Sequence, residues 1–515
     1  MDSPFSKHHL DTSMLYLALY TLVVVIYGKA ILRSRRGGLS AFPGPWISKW
    51  TGAVGQGYWT LSRRTEYVHS LHEKYGPIVR VSPEELDVSD IQAARTIHRT
   101  NKAFLKAPWY QILAPFGMQT LFNTTNVQFH REHRRLLALP MSDSYLRRME
   151  PVIAGKVQSA MERMQEDLDK NGVVDVYKWL VAMTSDTITQ LSFGCSVGLL
   201  EKGDVLLPSL QIIGAPGITE DADLGAQESQ SKAQYARDLQ ALNDTEWWIT
   251  TFPNLIGLLM YAPSTIAPSA MLASQRLVRV ADECVRNYRQ WLLQAADAQP
   301  TFFQAHIHSL CDEDIRHDAF TILAAGTHTT AISLTYLIWA VCKDPAIQKA
   351  LVEEVSQLPE SFTDDRLREL NYLNCVIDET LRLYSAAPGS LKRVVPPGGA
   401  VLGGFAVPEG TTVTTQGYTL HRNPEIFPEP ERFNPSRWAE PTKAMRDSLM
   451  PFGGGTRTCI GLHLARRSLR GATTRFFRRF PNARVSAREG MSDADMEQDI
   501  HFSMSPKGRR CLIEC

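Results

Sequence analysis

The sequence predicts a mainly helical protein with a small β region, preceded by an N-terminal transmembrane helix. Three observations lead to this fold class. Most of the apolar periodicity between residues 66 and 385 is helical. Short β-branched runs are grouped among Pro-Gly turns after residue 390. Near the N-terminus, one long apolar run carries a single charge.

The composition excludes several classes of protein. The chain has 515 residues, with 55 Lys+Arg, 54 Asp+Glu and 8 Cys. At roughly 100–200 residues per domain, this length allows about three domains, although some enzymes use it as one unit. A net charge of +1 disfavours bulk binding to nucleic acid. No C-x-x-C pair occurs, so a zinc ribbon or thioredoxin-type site has no support, and reduced intracellular thiols are expected.

The apolar run Met14–Leu32 predicts a single-span membrane anchor, because its only charge is Lys29 and a spanning helix needs about 20 residues. Arg33, Arg35 and Arg36 follow directly and should stay on the cytosolic side. A cleaved signal peptide is disfavoured, since the basic cluster follows the apolar run and no small-residue cleavage site is present. Residues 1–36 are therefore predicted to be the anchor and its basic flank.

The remaining elements follow in order. Residues 37–65 are predicted to be a proline-rich spacer because of the stiff stretch Phe42-Pro43-Gly44-Pro45-Trp46, and residues 66–515 one globular domain. The predicted helices are Phe129–Leu139, Pro151–Leu168, Ala270–Ala296, Asp318–Cys342, Pro345–Gln357, Tyr372–Tyr384 and Leu462–Phe480. The predicted strands are Ile78–Val81, Leu391–Val395, Ala400–Val407 and Thr411–Gln416.

The apolar segment Phe252–Pro268 is interrupted by three prolines. It can be interpreted as a buried loop or as a lid that touches a membrane.

A glycine-rich loop near the C-terminus, from Pro451 to Gly461, surrounds Cys459 and leads into a predicted helix. Glycines allow close backbone approach to a thiolate, and a helix N-terminus and Arg457 stabilise its charge. The loop lacks the G-K-[ST] of a phosphate-binding loop, and Cys459 with His463 forms only half of a zinc site. A nucleophilic cysteine is disfavoured because His463 would point away along the helix. The pattern favours a thiolate that binds a metal as its only protein ligand.

This loop resembles the F-x-x-G-x-R-x-C-x-G signature of the cytochrome P-450 family, here Phe452, Gly455, Arg457, Cys459 and Gly461. The resemblance covers about residues 42–515. It implies the cytochrome P-450 fold, with residues 66–515 as the catalytic domain and haem b held by the Cys459 thiolate.

A second resemblance lies in Glu379-Thr380-Leu381-Arg382, the E-x-x-R signature of the family. Its apolar flanks predict that Glu379 and Arg382 meet in a buried setting. By resemblance, Arg432 completes a Glu–Arg–Arg network behind the haem. A desolvated network left with one unpaired charge should lose several kcal/mol, about the size of a broken buried ion pair.

The long helix Asp318–Cys342 carries a small-residue stretch that resembles the oxygen-binding helix of the family. Gly326 and its neighbouring threonines predict a local kink. Thr329 matches the alcohol that serves proton delivery during oxygen activation, whereas His328 stands where the family has an acid. Three roles remain open: His328 relays protons, Thr329 and water suffice, or the reaction needs less proton delivery. The second is favoured.

Cations are needed for the haem propionates, and resemblance points to Arg457, Arg393 and Arg134. His130 stands where tryptophan is common in the family, so a solvated basic helix face is an equal alternative around Arg134. By resemblance, Ala387, Leu391 and Phe502 shape the substrate pocket together with Thr329.

The stretch from Ser448 to Arg488 has no Asp or Glu but nine arginines, at 457, 466, 467, 470, 475, 478, 479, 484 and 488. A helical apolar stripe predicts that many of them point outward, as a docking face for an acidic reductase or simply as a solvated face.

The resemblance implies a haem-dependent monooxygenase that inserts one atom of O2 into a hydrophobic small molecule. NADPH-cytochrome P-450 reductase would supply the electrons, with cytochrome b5 as a further donor, at the endoplasmic reticulum membrane. The loop and anchor look most like fungal microsomal members, which commonly tailor secondary metabolites, including mycotoxins. The alternatives are a haem-thiolate isomerase or dehydratase that consumes no O2, and a non-catalytic haem sensor. No nucleic-acid partner is expected.

Overall fold

The structure is a computed structural model that describes residues 38–99, 104–113, 117–201, 237–242, 249–251, 269–294 and 301–515, with isolated positions at 17, 20, 21, 25, 28, 234 and 235. The helices before the central one are α1 (Ala53–Thr60), α2 (Arg64–Tyr75), α3 (Ile91–Ile97), α4 (Val127–Ala138), α5 (Asp143–Arg148), α6 (Glu150–Asn171), α7 (Val176–Phe193), α8 (Ser269–Gln294) and α9 (Gln304–Ser309). The others are α10 (Asp312–Lys343), α11 (Pro345–Ser356), α12 (Asp364–Arg368), α13 (Asn371–Leu383), α14 (Gly417–Leu420), α15 (Lys443–Ser448) and α16 (Leu462–Arg479).

The centre of the helical body is α10, which packs against α7, α8, α13 and α16. Both α7 and α10 are buried around most of their circumference, so neither has one polar face. Asp344 ends α10 and caps α11, since its side chain accepts hydrogen bonds from Ala346 N and Ile347 N. Pro345 occupies the first position of α11, as the sequence predicts.

The strands form four small sheets. Their bounds are β1 Ile78–Ser82, β2 Glu85–Val88, β3 Leu105–Lys106, β4 Val174–Asp175, β5 Arg393–Val394, β6 Ala400–Leu402, β7 Phe405–Val407, β8 Thr412–Thr414, β9 Arg484–Val485, β10 Gln498–Ile500, β11 Met504–Pro506 and β12 Leu512–Glu514. The largest sheet has the order β1-β2-β8-β5-β3, in which only the β2–β8 pair is parallel.

The predicted strand Ala400–Val407 is a separate hairpin, β6–β7, and does not join this sheet. Gly403 and Gly404 form its turn with φ angles of 52° and 83°, a conformation that glycine adopts readily. The prediction of one continuous strand was therefore wrong, because the turn residues lie within the β-branched run.

The described part of the predicted spacer, residues 38–65, is folded against the globule. Leu39 and Phe42 are buried with strands β1, β2 and β8, and Arg80 Nη1 donates a hydrogen bond to the Leu39 carbonyl. The proline- and glycine-rich stretch therefore packs tightly against the sheet and is not only an extended spacer.

Most of the predicted anchor, residues 14–32, and the whole segment 252–268 lie outside the described residues. Among the helices that the structure describes, none has the length and apolar character to cross a membrane.

Candidate active site

The loop around Cys459 is held by its own backbone. The Cys459 amide donates to the Phe452 carbonyl at 2.8 Å, and the Thr458 amide donates to the Gly455 carbonyl at 3.2 Å. The chain then enters α16 directly after Gly461. Burial raises the pKa of the Cys459 thiol, whereas the backbone N–H of Gly461 and the charge of Arg134 lower it. The last two influences stabilise a thiolate at this position.

Gly455 is required because the end of α3 lies close to the cysteine loop. Its φ is 66°, and a Cβ there would overlap the His98 carbonyl oxygen. The predicted role of this glycine was close backbone approach to the thiolate; the structure shows instead that its missing side chain lets the loop lie against the end of α3.

Basic side chains gather beside the loop, as the sequence predicts. Arg134 on α4 donates from Nη1 to the Thr458 carbonyl at 2.9 Å. Arg393 on β5 is buried, and Arg457 belongs to the loop itself. Burial, Arg393 and Arg134 lower the pKa of Arg457 to about 10.

Lys106 is a fourth cation that the sequence analysis missed. It pairs with Arg393 across β3 and β5, and its Nζ contacts the Phe122 carbonyl and lies 3.8 Å from the centroid of the Tyr110 ring. Burial, with Arg393 and Arg457, places the pKa of Lys106 well below its usual value. The cross-strand register brings Lys106 here, and no sequence motif marks it.

His130 lies among these four cations. It is buried on α4, and burial together with Arg457, Arg134, Lys106 and Arg393 lowers its pKa to about 3. Its imidazole is therefore neutral. His130 thus lies off the solvated face of α4, on which Arg131 and Arg135 are exposed. Arg134, for which a solvated basic face was the alternative, is half-buried and bonds the cysteine loop.

Glu379 and Arg382 form the predicted buried pair on α13, with two hydrogen bonds of 2.8 Å and both side chains fully buried. Arg382 also donates to the carbonyls of His421, Pro430 and Arg432. A buried ion pair is stable only when its remaining hydrogen-bond capacity is satisfied, which is the case here.

Arg432 does not complete this network through its side chain, contrary to the prediction. Its guanidinium is exposed and pairs with Glu429, and only its carbonyl faces Arg382. Arg437 takes the predicted place, with Nε 3.0 Å from Glu379 Oε1. The reason is local: Arg437 lies in the 3₁₀ helix Pro435–Trp438, which turns its side chain back toward α13.

His421 joins this network to the cysteine loop. Its Nε2 accepts from the Met450 amide at 2.9 Å, and its Nδ1 lies 2.9 Å from the Arg382 carbonyl. The backbone N–H of Met450 can only donate and the Arg382 carbonyl can only accept, so the imidazole proton of His421 is on Nδ1. Burial lowers the pKa of His421 to about 3. This residue was also missed, because a lone histidine carries no motif.

The middle of α10 presents different side chains to different neighbours. Thr329 is partly exposed and donates from Oγ1 to the Ala325 carbonyl at 2.7 Å. His328 is buried. Gly326 packs against α7: a Cβ on it would lie 2.7 Å from Ile188 Cγ1. Gly326, predicted among the catalytic residues, thus has a packing role.

The predicted pocket residues lie at the sheet side of the site. Leu391 borders the cysteine loop, since a Cβ on Gly453 would be 3.8 Å from Leu391 Cδ1. Phe502 belongs to an aromatic cluster with Tyr110 and Phe122, at centroid distances of 6.1 and 5.3 Å. Ala387 is half-buried, after the end of α13.

These residues fit a haem group. Cys459 and Ala325 have accessible surface although both lie among buried elements. Because protein atoms still surround the Cys459 thiol closely enough to raise its pKa, this surface faces an enclosed space rather than the outside of the molecule. Arg393 Nη1 and Arg457 Nη1 are buried and have no hydrogen-bond partner in the described part of the chain. Buried guanidinium groups need acceptors, and the two propionates of haem b are acceptors of matching charge.

The arginines after residue 457 form the predicted outward face only in part: Arg479, Arg484 and Arg488 are exposed, whereas three others pair with acids. Arg466 pairs with Asp378 at 2.8 Å, Arg467 with Glu150 at 2.9 Å, and Arg470 with Asp364 at 2.7 Å. The acids come from other elements, so part of this cationic stretch is neutralised in space. On α4, which carries Arg134, the exposed cations are Arg131 and Arg135.

Comparisons with known proteins agree with this geometry. Residues 47–512 match the model of the cytochrome P-450 family. The chain is 44% identical over 505 residues to the cytochrome P-450 monooxygenase tazI of Aspergillus terreus, covering 96% of this chain and 98% of that protein. It is 41% identical over 479 residues to the cytochrome P-450 monooxygenase orf2 of Aspergillus niger, covering 92% and 93%. It is 33% identical over 481 residues to the cytochrome P-450 monooxygenase stcB of Emericella nidulans, covering 92% and 88%.

The fold and the thiolate loop thus define a haem-thiolate protein. The chain belongs to the cytochrome P-450 family, and the predicted monooxygenase class is confirmed at the level of the family.

Proposed function

We propose that this protein inserts one oxygen atom of O2 into a hydrophobic small molecule of fungal secondary metabolism, with electrons from NADPH. The observation that carries the proposal is the Cys459 loop, set beside four basic side chains on α4, β3, β5 and the loop itself. Arg134, Arg393, Arg457 and Lys106 would hold the haem propionates, and Cys459 would be the iron ligand. Bound haem supplies the redox chemistry for oxygen activation.

The chain positions the reacting partners through rigid elements. Ile460, next to Cys459, packs in the same core cluster as Ile322 and Leu323 of α10. The helix that carries Thr329 is thereby fixed relative to the loop, which preorganises the reaction space.

Measurement of O2 uptake with purified reductase tests this function. O2 consumption that requires both NADPH and the reductase, with one product oxygen labelled by 18O2, is expected. Conversion of substrate without O2 uptake would identify an isomerase or dehydratase instead, and absence of any conversion would leave a haem sensor.

Thr329, with water, is proposed to hold the proton for oxygen activation, and His328 is not. The Thr329 side chain is partly exposed, so its hydroxyl can exchange the hydrogen bond to the Ala325 carbonyl for one to a ligand. The His328 side chain is buried in the protein. Thr329→Val should lower the fraction of NADPH electrons found in product, and His328→Ala should leave that fraction unchanged. Equal losses in both variants would contradict this assignment.

NADPH-cytochrome P-450 reductase is the proposed electron donor, docking on α4 beside Arg134. Arg131 and Arg135 are exposed there, whereas three of the six arginines of α16 are engaged by acids. The double variant Arg131→Ala/Arg135→Ala should slow reduction and weaken its salt dependence. Arg478→Ala, at the far end of α16, is the matched control, and an equal effect there would overturn the assignment.

Residues 14–32 are proposed to anchor the protein in the endoplasmic reticulum membrane, with the catalytic domain in the cytosol. The support is the apolar run followed by Arg33, Arg35 and Arg36. A chain that begins at residue 37 should leave the microsomal fraction. Retention of that chain on microsomes would show that another surface carries the membrane contact.

A further inference from the structure

A buried carboxylate on α10, Asp318, joins three other segments of the chain. Its Oδ1 accepts a hydrogen bond from the Leu121 amide at 3.0 Å, and its Oδ2 bonds Nδ1 of His133 on α4. His306 of α9 lies farther away, with its Nε2 3.8 Å from Oδ2. The Asp318, His133 and His306 side chains are almost completely buried. The carboxylate thus lies where the loop before α4, α4 itself, α9 and α10 meet.

His133 is the side chain that satisfies this carboxylate. A buried carboxylate is stable only with hydrogen-bond donors or an opposite charge beside it. Among the described residues, no lysine or arginine pairs with Asp318. His306 stands beyond hydrogen-bond distance, and burial lowers its pKa to about 4, so it is neutral near pH 7. The bonds from His133 and from the Leu121 amide therefore hold Asp318 in place.

Asp318 lies on the face of α10 that borders the reaction space. Ala325 and Thr329 follow it by seven and eleven residues, which is close to two and three full turns at about 3.6 residues per turn. The three residues therefore share one face of the helix. Ala325 and Thr329 have accessible surface on that face, and Asp318 is bonded toward its N-terminal end.

The other side of this bond leads to the cysteine loop. Arg134, the residue after His133 on α4, donates from Nη1 to the Thr458 carbonyl at 2.9 Å. Thr458 directly precedes Cys459. The bond between His133 and Asp318 thus connects α10 with the helix that contacts the cysteine loop.

Apolar packing gives α10 no preferred rotation about its axis. Its surface is buried around most of the circumference, so polarity does not select one face. Ile460 of the cysteine loop packs in the same cluster as α10, but hydrophobic contact is not directional. A hydrogen bond weakens steeply when its angle changes. The bonds of Asp318 therefore favour one rotation of the helix.

We propose that Asp318 is a positioning residue for oxygen activation: bonded to His133 and to the Leu121 amide, it holds α10 at the rotation that turns Thr329 toward the space beside Cys459. The two ends of this device are about 16 Å apart along the helix, at about 1.5 Å per residue. The proposal rests on the proposed function for the use of Thr329 in the reaction, but not for the geometry of the helix.

The infrared C–O stretch of the carbon monoxide complex of the reduced, haem-loaded protein tests this assignment. Its frequency depends on the polar groups beside the bound ligand and does not require turnover. His133→Phe keeps the ring that stacks on Phe129 at 3.7 Å and removes the donor, so the band should shift. His133→Asn keeps a donor near the position of Nδ1 and should retain the band of the unmodified protein.

The shift should pass through Thr329. Thr329→Val removes the hydroxyl and should move the band by itself, and adding His133→Phe to it should cause no further shift. His317→Phe, at the neighbouring position of α10 where the histidine lies 3.9 Å from Glu313, is the matched control and should keep the unmodified band. An unchanged band in His133→Phe, an equal shift in His317→Phe, or equal shifts with and without Thr329→Val would overturn the proposal.

A double variant keeps the test decisive if His133→Phe loses its haem. His133→Phe/Asp318→Leu replaces the whole pair by apolar side chains and leaves no unpaired buried charge. It still lacks the bond, so its band should be shifted, and an unmodified band would contradict the role of Asp318.

Electron recovery measures the consequence for the reaction. The fraction of NADPH electrons found in product should fall several-fold in His133→Phe and stay close to the unmodified value in His133→Asn. Unchanged recovery in His133→Phe would overturn the role in oxygen activation. If the unmodified protein consumes no O2, the proposed monooxygenase function fails, and the infrared bands still decide whether Asp318 positions α10.

Discussion

Arg432 and Arg437 are five positions apart, yet only one contacts Glu379. Two arginines in a proline-rich loop look equivalent in sequence, because the turn that separates them depends on Pro435 and on burial of Trp438. The Glu379 carboxylate accepts from Arg382, Arg437, the Asn434 amide and the Trp438 indole. The loss of one donor therefore leaves this buried carboxylate short of a hydrogen bond, and loss of Arg437 also removes one of its two cationic partners.

Arg437→Ala is expected to lower the free energy of unfolding by about 3 kcal/mol, the size of a broken buried ion pair, and to reduce haem content. Arg432→Ala is the matched control, and its exposed pair with Glu429 should contribute less than about 1 kcal/mol. Urea unfolding of both variants measures the difference. A larger loss of unfolding free energy in Arg432→Ala than in Arg437→Ala would show that Arg432, and not Arg437, belongs to the network.

Lys106→Met should weaken haem retention several-fold and make the reduction potential more negative. The added electron is stabilised by nearby cations, and the variant removes one of four beside the loop. Spectroelectrochemical titration and transfer of haem to apomyoglobin measure the two effects. Lys349→Met, on an exposed side chain, serves as the control. An unchanged potential would mean that Lys106 is neutral in the haem-loaded protein.

At the scale of elements, the position of α10 depends on close contact with α7. Gly326 allows this contact, because Ile188 of α7 occupies the space where a side chain would begin. The sequence placed Gly326 correctly in the central helix, but it could not distinguish a residue that faces the reaction from one that faces another helix. That distinction depends on the rotation of α10, which its uniformly apolar surface does not reveal.

Gly326→Ala should destabilise the protein by about 1–3 kcal/mol, as overpacking does in a dense core. Ile188→Ala in the same chain should recover part of that loss, because it removes the Cγ1 atom that the new methyl group would meet. Thermal unfolding of the two single variants and the double variant gives the coupling energy. Strict additivity would show that the helices do not meet at these residues.

At the scale of the whole molecule, sequence motifs predicted the parts that short-range chemistry defines. The cysteine loop, the Glu379–Arg382 pair and the cap at Asp344 depend on residues within one turn or one loop. Lys106, His421 and Arg437 depend on contacts between distant segments, so no local pattern marks them. The buried helix α7 was not singled out for a related reason, since it has no polar face to give a periodic signal.

The buried histidine His421 predicts a loss of stability in acid. Its folded pKa of about 3 lies below the ordinary value of 6.5, so the folded protein binds fewer protons than the unfolded chain between those values. The contribution of neutral His421 to the free energy of unfolding is complete above pH 6.5. Below that pH it falls by about 1.4 kcal/mol per pH unit, down to the folded pKa. His421→Phe should be less stable at pH 7.5 but should show a shallower decline toward pH 5. Parallel declines would show that His421 does not titrate on unfolding.

The carbon monoxide difference spectrum of the reduced protein tests the assignment of Cys459 most directly. Thiolate ligation by Cys459 predicts the long-wavelength Soret band that gives this family its name, and Cys459→His should shift the band to the shorter wavelength of an imidazole-ligated haem. A short-wavelength band in the unmodified protein, or a long-wavelength band that survives Cys459→His, would contradict the thiolate site.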